Sequence, residues 1–113
     1  MEIQSKTFLF ETSMEWENPS PGVQRQIMGY NKDIMTVKVK FEEGAVGTPH
    51  AHPHSQTTYV ASGIFEFTVG NVTNIVQPGD GVYMEPNVLH GCKCLEAGIL
   101  VDTFSPMRED FIG

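Results

Sequence analysis

Gly44-Ala45-Val46-Gly47-Thr48-Pro49-His50-Ala51-His52-Pro53-His54-Ser55-Gln56, running on as Thr57-Thr58-Tyr59-Val60-Ala61-Ser62-Gly63, decides how this chain is read. It holds three of the four histidines; the fourth is His90. His50 and His52 are two apart, so in extended backbone they point to the same side. His54 would continue that side, but Pro53 breaks a regular strand there, so His54 reads as a loop or supporting residue or, alternatively, as a direct ligand. Gln56 shares the parity and stands just before the strand-like run Thr57 to Ala61. Neutral imidazole is the commonest metal ligand among side chains and suits zinc, copper, iron and nickel.

Outward from this stretch, the sequence alternates with period two, as half-buried strands do. In Met35 to Phe41 the apolar residues fall on one face and Lys38 and Lys40 on the other. Phe65, Phe67 and Val69 share a face within Ile64 to Val69. Asn71 to Val76, Gly81 to Glu85, Gly91 to Leu95 and Ile99 to Phe104 complete the predicted strands. Turns are expected at Glu43-Gly44, Ser62-Gly63, Gly70-Asn71, Pro78-Gly79-Asp80 and Ala97-Gly98. Asn18-Pro19-Ser20-Pro21-Gly22 reads as a loop between an N-terminal arm and the first barrel strand. Many short strands with such turns predict an all-β sandwich or barrel. The 113 residues fit one domain, 1–113, with an arm over 1–21 and barrel plus tail over 22–113.

The composition, 40% hydrophobic and 19% charged, is that of a globular protein. Cys92 and Cys94 are spaced too closely for a relaxed disulfide and read as small buried hydrophobes. A basic region followed by a long apolar run is not found near the N-terminus, nor is a run of the roughly 20 apolar residues a membrane span needs. A cytoplasmic location is therefore expected. The net charge of −7 argues against nucleic acid and anionic membranes as partners, since both need basic patches. An anionic small molecule would have to be held by a few specific cations.

The spacing of the quoted stretch resembles the first motif of the cupins. Gly44, five residues, His50-Ala51-His52, three residues, Gln56, six residues and Gly63 fall in register, with Gln56 where cupins usually carry Glu. Gly79-Asp80, Pro86 and His90 resemble the second motif, with the segment Pro86 to His90 one residue short. The expected fold is a single-domain cupin, a double-stranded β-helix or jelly-roll barrel. His50, His52, Gln56 and His90 are its candidate ligands for one divalent metal ion: nickel, zinc, iron or manganese. Four neutral ligands leave the ion its full charge, which favours Lewis-acid chemistry on a carboxylate-bearing molecule.

A second informative stretch is Leu100-Val101-Asp102-Thr103-Phe104-Ser105-Pro106-Met107-Arg108. A carboxylate within an apolar strand is costly unless paired or liganded. Asp102 shares a face with Leu100 and Phe104; it either lines the barrel interior or caps a turn at its rim. Of the cations, Lys38, Lys40 and Lys93 face outward, and Lys6 and Lys32 lie in the arm and a turn. Arg25 and Arg108 remain to clamp a carboxylate, unless each pairs with an acidic residue instead.

GAVGTPHAHPHSQTTYVASGIFEFTVG, EPNVLHGCKCLEAGILVDTFSPMREDF and VQRQIMGY together resemble the KdgF-type pectin-degradation family, from about Gly22 to Phe111. DTFSPMREDF is the most distinguishing string. The resemblance implies an enzyme that opens the ring of 4,5-unsaturated uronates to linear 4-deoxy-5-keto uronates. It also implies His50, His52, Gln56 and His90 as metal ligands, Asp102 as catalytic acid/base, and Phe104 and Arg108 as substrate contacts. Arg108 would pair the substrate carboxylate during the reaction, with Arg25 a further candidate. An anionic sugar acid is the expected partner, and a homodimer is expected from the fold. The competing readings are a uronate-binding cupin without catalysis and a metal-dependent dioxygenase.

Overall fold

The alternating segments of the sequence become eight strands in a computed structural model that describes residues 3–112. They are β1 (Glu17–Ser20), β2 (Val23–Asn31), β3 (Ile34–Phe41), β4 (Val46–His50), β5 (Ser55–Val69), β6 (Val72–Val76), β7 (Gly81–Met84) and β8 (His90–Ser105). A short helix α1 (Glu109–Ile112) follows. The strands pair antiparallel in the order β1-β2-β3-β8-β5-β6, with β4 also on β8 and β7 also on β5. This is the all-β architecture expected from the sequence.

The parity read in the sequence sets what is buried. Met35, Val37 and Phe41 of β3 and Phe65 and Phe67 of β5 point inward, while Lys40 and Glu66 are exposed. One apolar cluster joins Val23, Phe41, Val60, Phe65, Phe67, Met84, Cys94 and Leu100. A second joins Met35, Val37, Phe104 and Met107. Outside the barrel, the segment before β1 lies along β2. Ser5 and Tyr30 exchange hydrogen bonds, and the buried Gln26 side chain donates to the carbonyls of Glu11 and Met14.

The structure corrects three sequence expectations. Asn18–Gly22 is not all loop: Glu17–Ser20 pairs with β2, and Pro21-Gly22 forms the turn. The adjacent strand supplies partners that the two prolines alone do not suggest. Ser62-Gly63 and Ala97-Gly98 are not turns but lie inside the long strands β5 and β8. His52 lies beyond the end of β4 rather than on the same strand as His50.

Glycine is required at positions 63 and 98 by close approach. Gly63 has φ +82°, and a Cβ there would sit 2.6 Å from the Glu96 carbonyl oxygen; one on Gly98 would sit 2.1 Å from the Ser62 carbonyl oxygen. The β5–β8 register slips around Ser62 and Ile64, as at a bulged barrel corner. Replacing Gly98 by Ala drives a methyl into backbone that cannot move aside. We expect Gly98→Ala to lose about 3 kcal/mol or more in urea denaturation; an unchanged midpoint would refute the close crossing.

Candidate metal centre

Two strand ends and a loop bring the histidines together. His50 closes β4 and pairs across from His90, the first residue of β8. His52 follows in the loop leading to β5. One donor atom from each of the three lies within 4.8 Å of the others. The ring centres of His50 and His90 are 4.5 Å apart, and those of His52 and His90 are 5.0 Å apart.

Backbone carbonyls fix how two rings present themselves. His50 Nδ1–H donates to Thr48 O at 2.9 Å, and His90 Nδ1–H donates to Val88 O at 3.0 Å. A carbonyl only accepts, so in the neutral ring Nε2 keeps its lone pair. Among the described residues, the buried His90 Nε2 has no hydrogen-bond partner. His52 Nε2 is 2.9 Å from Gln56 Oε1, about the spacing of two neighbouring donors around one first-row ion. An orphaned imidazole nitrogen within a cluster of N and O donors fits a divalent metal.

The loop before His90 solves its missing residue with Asn87, whose φ of +67° is a left-handed conformation that asparagine tolerates. Asn87 N donates to His52 O at 2.8 Å, tying this turn to the other histidine loop. His54 stands outside the cluster: its Nε2–H donates to Met107 O at 3.1 Å.

A cavity of about 400 Å³ opens beside the cluster. His50, Gln56 and His90 line it together with Asp102, Phe104, Arg25 and Arg108. Asp102 therefore faces the interior and not the rim. It lies between Val37 and Thr58 in the sheet, and the Thr58 hydroxyl donates to its Oδ1 at 2.6 Å. Phe104 meets the His52 ring edge-on at 5.7 Å.

Both arginines line the cavity and also pair with acids. Arg25 Nε donates to Glu17 at 3.1 Å, and Arg108 grips both oxygens of Asp110 at 3.1 and 2.9 Å. The Phe111 ring holds them together, with guanidinium carbons 3.9 and 4.3 Å from its centre. Sequence reasoning missed Phe111 and Thr58. Thr58 shares the parity of Gln56, which was a usable signal; Phe111 closes the string DTFSPMREDF, which was noted as a whole without a role for this ring.

Residues 37–102 match the cupin domain family. The chain is 39% identical over 109 residues to the pectin degradation protein KdgF of Dickeya dadantii, covering 95% of this chain and 99% of that protein. The chain belongs to the KdgF family of cupins. Two solved structures agree. KdgF from Halomonas sp. superposes with a TM-score of 0.90 at 38% identity, over 95% of this chain and 99% of that one. An RmlC-like cupin from Shewanella frigidimarina superposes with a TM-score of 0.93 at 45% identity, over 96% and 97%. Among the described residues, no helix of this KdgF-family chain is long and apolar enough to cross a membrane.

Electrostatics in this KdgF-family site follow from burial. Burial holds His52 and His90 below the usual histidine pKa, chiefly by penalising their charged forms. Neutral rings keep a lone pair for a metal. Burial also raises the Cys92 thiol to about 12, so it stays protonated; Cys92 and Cys94 are both free. Stripped of metal by a chelator, the KdgF-family protein should take up one Ni²⁺ or Zn²⁺ per chain. Its Tm should then rise, with about 2.7 kcal/mol gained when free metal is about 100 times Kd. His90→Ala should abolish both effects; uptake unchanged in that variant would reject the cluster as a metal site.

Burial raises the Asp102 carboxyl from 3.8 to about 6, against opposing hydrogen bonding from Thr58 and Gln56 and the charges of His50 and Arg108. Below 3.8 this group is neutral in both folded and unfolded chains, and its contribution to stability is fully present. That contribution is lost as pH rises through about 6, because the folded chain must then bury a charge. Metal-free Asp102→Asn should therefore be more stable than metal-free wild type at pH 7. The expected gain is on the order of 1–2 kcal/mol, allowing for cavity water, and it should shrink toward zero near pH 4. Equal stability at pH 7 would contradict the burial cost.

Proposed function

We propose that this chain opens the ring of 4,5-unsaturated uronate monosaccharides to give 4-deoxy-5-keto uronates. The observation that carries the proposal is the convergence of one raised carboxyl, two guanidiniums and an imidazole cluster on a single cavity. The activity named for KdgF of Dickeya dadantii, pectin degradation, supports the same substrate class.

In this reading, His50, His52, Gln56 and His90 hold one divalent ion. When bound, such an ion supplies Lewis acidity toward the oxygen that gains charge. The Arg108 guanidinium, with Arg25 beside it, binds the substrate carboxylate and sets the ring over the cavity floor. Phe104 gives the ring an apolar wall. Asp102, as carboxylate, takes the proton of the anomeric hydroxyl. Its O–H electrons become the aldehyde C=O, and the bond from the anomeric carbon to the ring oxygen breaks. The ring oxygen leaves as an enolate conjugated with the carboxylate. Asp102 then returns the proton to the former alkene carbon, and the enolate becomes the ketone. Atoms and charge balance without oxygen or a second substrate. A carboxyl near 6 is close enough to neutrality to give and take the proton.

The test follows the conjugated double bond by ultraviolet absorbance. Asp102→Asn should lower kcat by about 100-fold or more, and Arg108→Ala should raise KM. Wild-type turnover in Asp102→Asn would overturn the acid/base role. Substrate binding without loss of absorbance in the metal-loaded wild type would instead identify a binding protein, and oxygen consumption a dioxygenase.

A further inference from the structure

We propose that Thr58 is a positioning residue whose single hydroxyl fixes the Gln56 carboxamide and the Asp102 carboxyl at once. The inference rests on the roles given to those two groups above. Thr58 is 2% exposed, two residues from Gln56 on the same side of β5, and directly opposite Asp102 on β8. Gln56 Nε2 donates to its Oγ1 at 3.1 Å, and Oγ1 donates to Asp102 Oδ1 at 2.6 Å.

Direction is what makes this arrangement informative. A hydroxyl has one hydrogen. With that hydrogen aimed at the carboxylate, only lone pairs face Gln56. The carboxamide must then turn its NH₂ toward Thr58. Its Oε1 points the other way, where it lies 2.9 Å from His52 Nε2. Only the oxygen end of an amide offers a metal a lone pair. The hydroxyl therefore selects the ligating end of Gln56 and tethers the carboxyl of its cross-strand neighbour. The β-branched side chain restricts χ1, so the hydroxyl direction is itself held.

Thr58→Val keeps the shape and removes the hydroxyl; Thr58→Ser keeps the hydroxyl. The first readout is Ni²⁺ affinity of chelator-stripped protein, measured by competition with a chromophoric chelator. Thr58→Val should bind about 10-fold more weakly or worse, and Thr58→Ser should stay close to wild type. In a Gln56→Ala background Thr58→Val should cause no further loss, because the residue acts through Gln56. Wild-type affinity in Thr58→Val would overturn the proposal. So would equal losses in the Val and Ser variants, or a full additional loss in the Gln56→Ala background. If Thr58→Val does not fold, Thr58→Ala against Thr58→Ser makes the same comparison under the same criteria. None of these readouts needs turnover, so they succeed or fail separately from the ring-opening reaction. For the Asp102 arm, kcat of Thr58→Val should fall with KM little changed; a change in KM alone would remove that half of the proposal.

Discussion

The crossing of β5 and β8 at Gly63 and Gly98 is the constraint on which the site depends. On one side of the crossing the ladder pairs Gln56 with Phe104 and Thr58 with Asp102; on the other it pairs Phe67 with Cys92 and Val69 with His90. Residues from both sides line one cavity. A straight pair of strands of this length would carry His90 and Asp102 far apart, at roughly 3.3 Å per residue. The ladder must bend between them, and the bend is where two backbones approach too closely for any Cβ. The imidazole cluster and the carboxyl thus reach a common space because of two residues without side chains.

Charge explains why the groups around that space differ in kind. The Gln56 amide carries no charge, and burial favours the neutral forms of His52 and His90, so bringing them together costs little repulsion. In the proposed function, a negatively charged side chain in place of Gln56 would offset part of the charge of a bound ion. Asp102 supplies the carboxylate instead, held beside the cluster and not within it. There it meets opposing forces: burial favours its neutral form, while Thr58 and the neighbouring positive groups favour its charge. A carboxyl balanced in this way can exchange a proton near neutrality, which an ordinary surface aspartate cannot do efficiently.

Much of this was legible in the sequence, for identifiable physical reasons. Period-two alternation exposed β3 and the second half of β5, because one face of each is buried. Parity with Leu100 and Phe104 left Asp102 either inside the barrel or at its rim, and the cavity lining decides for the interior. Gly63 and Gly98 misled because glycine serves turns and close crossings equally well, and a single chain does not reveal which backbone lies opposite. The paired state of β1 was hidden for a similar reason: its partners come from β2, across a turn, and Pro19 and Pro21 mask the strand. The meeting of His52 with the other two rings depends on loop geometry, fixed in part by the Asn87 to His52 hydrogen bond. Spacing suggested the cluster; the loops make it.

The cavity mouth shows a further division of labour. Glu17 and Asp110 are largely exposed, with side chains 47% and 59% accessible, and exposed ion pairs hold little energy, typically 0–1 kcal/mol. They cannot lock the arginines against a competing carboxylate. They can still orient them, because Arg25 and Arg108 each engage their partner through Nε. Phe111 adds an attraction that water screens less, between an aromatic face and each cation. Phe111 in turn meets Phe104 edge-on, 5.8 Å between ring centres, and Phe104 meets His52. A chain of ring contacts therefore runs from the arginines at the mouth to the imidazole cluster inside. The two guanidiniums at the mouth are thus oriented by weak exposed pairs and positioned by ring contacts, which leaves them little freedom to lose on binding.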